Sequence, residues 1–316
     1  MTNPTFSTQA ASRARLPDFL NGLALQEGIH PTRIDGVKLM HTTQSFPRAP
    51  LVYEPSVVIV GQGHKIGYLG GERYCYDRDN YLVLSVPLPF ECETQATPEA
   101  PLLGLSVSLQ PALIQELLLQ LDEGNAVFRE MPRGICSAPM TEALEDASCR
   151  LLQCLSSESD SRILGPQLVR EIVFRVLQGP YGGALRNLAA QHTHFSKIAR
   201  ALKRIHADYA HALDIDTLAR DAHMSVTSFH HHFKAVTSNS PLQYLKSIRL
   251  HKARLLMAHD GERASAAALR VGYDSVSQFN REFKRAFGSN PTEDIQRLRA
   301  SGAAGASAPA GQTASP

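Results

Sequence analysis

The chain has 316 residues, 43% of them hydrophobic and 20% charged, with a net charge of +2 and no tryptophan. At roughly 100 to 200 residues per domain this length implies two domains, and the composition excludes collagen-like, coiled-coil and wholly disordered chains. Five cysteines without a CxxC pair exclude a disulfide framework and a structural zinc site, and no apolar run reaches the roughly 20 residues of a membrane span.

Residues 1–32 carry one short helical pattern, around Leu16 to Leu25, and read as an N-terminal arm without signal-peptide features, so the cytoplasm is the expected compartment. From Gly36 to Leu109 the chain alternates short runs rich in Val, Ile, Tyr and Leu with turns at Gly61, Gly63, Gly70-Gly71 and Asp79-Asn80. About seven closely spaced strands follow from this, the pattern of a small β-barrel or double-sheet roll. Pro111 to Leu121, Met140 to Leu155 and Leu164 to Leu177 then change to helical periodicity, which makes 33–180 a β-barrel domain with accessory helices. The Gly182-Gly183 region, 181–195, reads as a linker, 196–300 as a second, all-helical domain, and the Ala, Gly, Ser and Pro of 301–316 as a disordered tail.

Charge is segregated between the two parts. Ser196 to Ala300 holds 17 Lys and Arg against 10 Asp and Glu, while the remainder is acidic. A basic domain on an acidic one suits a polyanion. That basic stretch also repeats itself at an offset of 50: Arg220, Ser225, Val226, Phe229, Phe233, Lys234 and Pro241 recur as Arg270, Ser275, Val276, Phe279, Phe283, Lys284 and Pro291. Each copy reads as a helix-turn-helix unit, 216–237 and 264–287, with Ser225 and Ser275 capping the second helices and a long helix, Pro241 to Met257, between the units. With the phenylalanines turned inward, Thr227, His230, His231 and Lys234 face outward in the first unit, and Ser277, Gln278, Asn280, Arg281 and Lys284 in the second. Hydroxyl, amide and cationic groups of this kind read base edges in a major groove and neutralise phosphates.

The second copy, Val271-Gly272-Tyr273 followed by Ser277 to Lys284, Phe287-Gly288 and Pro291, resembles the DNA-binding domain of AraC/XylS-type transcription regulators. The first copy is similar, with Ser238 where members often have glycine. Tyr53-Glu54-Pro55-Ser56, Gln62-Gly63 and Ser85 to Pro89 are similar to the cupin-like N-terminal domain of one AraC subgroup. The resemblance implies a sequence-specific DNA-binding regulator, an effector-responsive activator working with RNA polymerase on promoter DNA and located on the nucleoid when bound. It also implies a small-molecule effector in the β-domain and a homodimer contact through the apolar stripe of 140–155, whose bland reading is core packing. Within that subgroup, responses to electrophiles offer Cys75 and Cys92 a sensing role, Cys75 being the better candidate because Arg73 shares its strand face while Glu91 and Glu93 flank Cys92; the alternative is a buried, inert thiol filling the barrel core. No catalytic residue, cofactor or metal is expected: successive helix residues such as His230-His231-His232 diverge by about 100° and cannot converge on one ion. The competing class is a metabolite-processing cupin-type enzyme tethered to DNA.

Overall fold

The computed structural model describes residues 15–23, 26–121, 133–189 and 193–300. After helix α1 (Arg15–Gly22) come nine strands: β1 (Gly28–Pro31), β2 (Val37–Thr42), β3 (Phe46–Tyr53), β4 (Ser56–Gln62), β5 (His64–Leu69), β6 (Glu72–Tyr76), β7 (Asn80–Leu84), β8 (Leu88–Gln95) and β9 (Leu102–Ser108). Helix α2 (Pro111–Gln120) and strand β10 (Ile135–Pro139) follow, then α3 (Glu142–Cys154), α4 (Glu158–Ile163), α5 (Gly165–Gln178) and α6 (Gly182–Ala189). The strands form two antiparallel sheets, ordered β1-β2-β9-β4-β7-β10 and β3-β8-β5-β6. This is the double-sheet roll that the strand spacing predicts.

Three expected features differ. The arm is part of the domain: Leu16 and Leu20 are buried against the six-stranded sheet, and β1 pairs with β2 along one edge. The expected linker at 181–195 is largely helix, because Ala184 and Leu185 supply a buried face to α6 and Thr193 caps the helix that follows. Strand β3 goes unread in the sequence because Pro47 and Pro50 break its pattern; it lies on a sheet edge, paired only with β8 and irregular between Phe46 and Ala49, where missing amide donors cost least. The expected tail, 301–316, lies outside the described residues.

The C-terminal half is helical: α7 (His194–Asp208), α8 (Ile215–Asp221), α9 (Val226–Thr237), α10 (Pro241–His259), α11 (Ala264–Arg270), α12 (Val276–Phe287) and α13 (Pro291–Ala300). Helices α8 and α9 form the first unit, α11 and α12 the second, and α10 joins them. The 50-residue offset holds for the recognition helices α9 and α12, but α8 and α11 are offset by 49. The first turn is one residue shorter, with His223 at φ 51 where the second turn uses Gly272 at φ 90.

Three buried clusters fill the molecule. One lies between the six-stranded sheet and α1, α2, α3 and α5; Leu144, Ala147 and Leu151 of the 140–155 stripe belong to it. These residues of the stripe are therefore core, and Met140 and Leu155 at its two ends are partly buried against the same cluster. A second cluster fills the space between the sheets, with Leu82, Val86 and Phe90, and runs on without a break into Phe195 of α7, Phe229 and Phe233 of the first unit, and Tyr244 and Ile248 of α10. The third belongs to the second unit, built from Ala253, Met257, Phe279, Phe283 and Ile295. Helix α10 thus contributes its first half to one core and its second half to another.

Candidate nucleic-acid interface and interdomain cavity

Both recognition helices begin on a serine cap. The Ser225 hydroxyl accepts the Ser228 amide at 3.2 Å, and the Ser275 hydroxyl accepts the Gln278 amide at 3.3 Å. These bonds satisfy otherwise unpartnered amides of the first turn and set the direction in which each helix leaves its turn. Phe229 and Phe233, like Phe279 and Phe283, are wholly buried, with ring centroids 5.5 Å apart in each pair. Burying one face exposes the other: Thr227, His230, His231 and Lys234 on α9, and Ser277, Gln278, Asn280, Arg281 and Lys284 on α12, are all exposed. The structure therefore brings the expected residues together as two outward faces, one per unit.

The second face is braced from behind. Glu282 accepts hydrogen bonds from Lys246 of α10 at 2.7 Å, from the Tyr273 hydroxyl at 2.8 Å and from Gln278 at 3.2 Å. Burial works to raise the pKa of its carboxyl, but these three donors outweigh it and hold it below the usual range. Arg249 of the same helix donates to the carbonyls of Tyr209, His211 and Gly272, tying the loop after α7 to the second turn. The histidines of the first face pack rather than converge: His194 stacks on His232 at 4.1 Å, and His231 meets His232 edge-on. Among the described residues no three metal-ligating side chains converge.

A cavity of about 210 Å³ lies between the β-domain and the helical half. Its walls are mostly apolar, with Met40, Phe46, Leu51, Val52 and Leu102 from the sheets and Leu255 and Leu298 from the helices. Set among them are Lys38, Lys65 and Glu54 from the β-domain and His251, Lys252 and Arg254 from α10. Arg254 is committed to a buried pair with Asp294 at 2.6 Å. Lys65 is buried; desolvation opposes its charge, but Tyr53 and Cys92 beside it outweigh that and raise its pKa above the usual lysine value. Burial raises the Glu54 carboxyl, against the pull of Lys252 and Lys38. An apolar cavity with several ammonium groups and one carboxylate suits a small amphipathic anion.

The two sensing cysteines divide. Cys92 lines this cavity, buried, its sulfur 3.1 Å from the Tyr76 hydroxyl. Cys75, the favoured candidate in the sequence, is half-buried and is not among the cavity's lining residues. The flanking carboxylates also point away from Cys92, as alternation along β8 requires: Glu91 pairs with Arg48, and Glu93 accepts from Tyr68. The cavity lysines escaped sequence reading. The local signals are a lysine near the start of each of two otherwise mostly apolar strands, Lys38 between Val37 and Leu39 and Lys65 before Ile66.

Residues 33–184 match the family of the AraC-type transcriptional regulator N-terminus, and residues 218–297 match a helix-turn-helix domain family. The chain is 37% identical over 89 residues to the RCS-specific HTH-type transcriptional activator RclR of Escherichia coli (strain K12), covering 28% of this chain and 31% of that one. It thus spans about one third of the length of that relative. To the HTH-type transcriptional activator RhaS of Klebsiella pneumoniae (strain 342) it is 25% identical over 251 residues, 77% of this chain and 85% of that one. The fold is similar to that of apo ToxT from Vibrio cholerae, with a TM-score of 0.56 at 12% identity, covering 86% of this chain and all of the other. ToxT has also been solved bound to an unsaturated fatty acid; that structure has a TM-score of 0.51 at 11% identity and covers 82% of this chain and 93% of the other.

Proposed function

The chain belongs to the AraC-type transcriptional regulators, and on that premise we propose that it is a cytoplasmic, sequence-specific DNA-binding activator whose β-domain holds a small amphipathic anion as effector. The observation that carries this reading is the pair of matched exposed faces on α9 and α12, built on the same buried phenylalanine spacing. In it, Arg281 takes the O6 and N7 of a guanine, Gln278 and Asn280 read adenine edges, and Thr227 and His231 read bases from the first helix. Lys234 and Lys284 neutralise phosphates, and the capped N-termini at Ser225 and Ser275 point amides at the backbone. The two helices enter successive major-groove segments about 34 Å apart, one helical turn of DNA. Activation then requires contact with RNA polymerase, and the chain itself catalyses no reaction.

For the effector, the mixture of apolar walls with Lys38, Lys65 and Lys252 favours a carboxylate on an apolar chain, and the fatty acid named for ToxT is the first compound to try. Because β-domain strands and the connector α10 share the cavity, a bound anion bridges the sensing and reading halves. Cys92 in the cavity wall supports a second route, covalent capture of an electrophile by its thiolate, which the Cys75→Ser and Cys92→Ser pair separates from reversible binding.

The test is selection of duplexes from a random pool, followed by footprinting with and without an unsaturated fatty acid. Protection of two segments about 10 base pairs apart by one chain is expected. Protection of a single segment, or of every duplex alike, would refute the reading of two sequence-reading helices. Lys252→Gln is expected to weaken fatty-acid binding about tenfold, the low end for a charge-assisted hydrogen bond. Unchanged binding would remove the anionic-effector assignment.

A further inference from the structure

The two recognition helices end differently. Helix α12 finishes on Gly288 at φ 79, and a Cβ placed there would meet nothing within 4 Å. Helix α9 finishes on Ser238, which holds the same left-handed conformation at φ 58 without being glycine. What it gains is a side chain, and that side chain rests on the β-domain. The tight turn Gly70-Gly71 between β5 and β6 brings Gly70 so close that a Cβ on it would lie 2.8 Å from both Cβ and Oγ of Ser238.

A second glycine meets the same helix end. Gly134, immediately before β10, donates its amide to the Val236 carbonyl at 3.0 Å, while its own carbonyl is held by the Ser85 amide at 2.9 Å. A Cβ on Gly134 would press on Val86 and Leu88, and it would lie 3.2 Å from the Val236 carbonyl. Last-turn carbonyls of a helix need partners from outside it, and here one comes from another domain. Tyr244, at the start of α10, adds a third tie by donating to the Pro87 carbonyl at 2.7 Å. With α9 held in this way, Thr227, His230, His231 and Lys234 remain exposed, so the contact leaves the reading face open.

Building on the DNA-binding role above, we propose that Gly70 and Gly134 form a seat that positions the first recognition helix, with Ser238 as the residue keyed into it. The seat orients one reading head relative to the β-domain. Among the described residues, the equivalent end of the other head has no such contact at Gly288.

The test uses the full chain and the duplex selected by the wild type. Gly70→Ala drives a Cβ into Ser238 and is expected to weaken binding about tenfold, the middle of the range for coupled neighbours, with loss of protection over one groove segment only. Exchange of the Gly134 amide, followed without DNA, is expected to speed up by a similar factor of about ten. Gly71→Ala controls for turn strain, since Gly71 is also left-handed, at φ 85, but a Cβ there has nothing within 4 Å; it should change neither readout. Gly70→Ala combined with Ser238→Gly removes the clash and should bring both readouts back to within about threefold of the wild type. The seat is overturned if Gly70→Ala behaves like Gly71→Ala, or if the double variant fails to recover. Should Gly70→Ala alone not fold, the double variant decides: folded, with wild-type exchange at Gly134, it supports the seat, and unfolded it overturns it. A wild-type chain that protects no duplex would sink the DNA-binding role, and the exchange comparison would still decide the seat.

Discussion

Arg281 stands on the exposed face of α12, on the side of the helix opposite the buried Phe279 and Phe283 between which it falls in sequence. Its replacement by alanine is expected to cost about 1–3 kcal/mol of binding and to relax preference at one base-pair position, measured by affinity against a panel of single-site duplex variants. A uniform loss across the panel would instead assign it to phosphate. Two buried histidines set a different expectation. Desolvation, with Lys252 nearby, lowers His206 to about 4, and desolvation, with Arg254 and Lys252 nearby, lowers His251 to about 3. Above pH 6.5 both are neutral folded and unfolded, and they cost nothing. As pH falls from about 6.5 towards 4 the unfolded chain takes up protons that the folded chain refuses, so stability declines across that window by about 2–4 kcal/mol per histidine. Denaturant midpoints measured from pH 7.5 to 4 report this, and a flat profile would count against burial of these rings.

At the level of elements, the sequence was most informative where one side of a helix must be apolar. The 50-residue repeat exposed both recognition helices because Phe229, Phe233, Phe279 and Phe283 have to be buried, and this alone turns Lys234 and Arg281 outward. It was least informative where a partner, and not local pattern, decides. Strand β3 exists because β8 pairs with it despite two prolines, and α6 folds because a core is waiting for Leu185. The cavity was invisible for the same reason: Lys38, Lys65 and Lys252 are far apart in sequence and meet only when the two halves dock. The stripe on α3 shows how a correct pattern can carry two meanings. Leu151 is fully buried within the chain, so Leu151→Ala is expected to cost about 2–5 kcal/mol of folding stability, read by denaturant titration. Sedimentation should show no change in association; dissociation of a dimer without loss of stability would restore the stripe as an interface.

Over the whole molecule, charge and core are distributed along different lines. The excess of cations lies in residues 196–300, and neutralising phosphates there releases counterions, so the logarithm of affinity is expected to fall linearly with the logarithm of salt concentration. The slope should lessen by about 0.9 for each phosphate-binding lysine removed, with Lys234 and Lys284 the first to test. Affinity independent of salt would exclude the interface described. The buried clusters divide the chain elsewhere: the inter-sheet core includes the first helix-turn-helix unit, and only the second unit has a core of its own. For anyone building chimeric regulators, the apparent border near residue 193 is therefore a poor place to splice. A foreign sensor joined there would meet Phe195, Val236 and Tyr244 with a surface not shaped for them, whereas an exchange within α10, between Ile248 and Leu250 where its two cores part, would swap one reading head as a cassette and leave the graft's foundations whole.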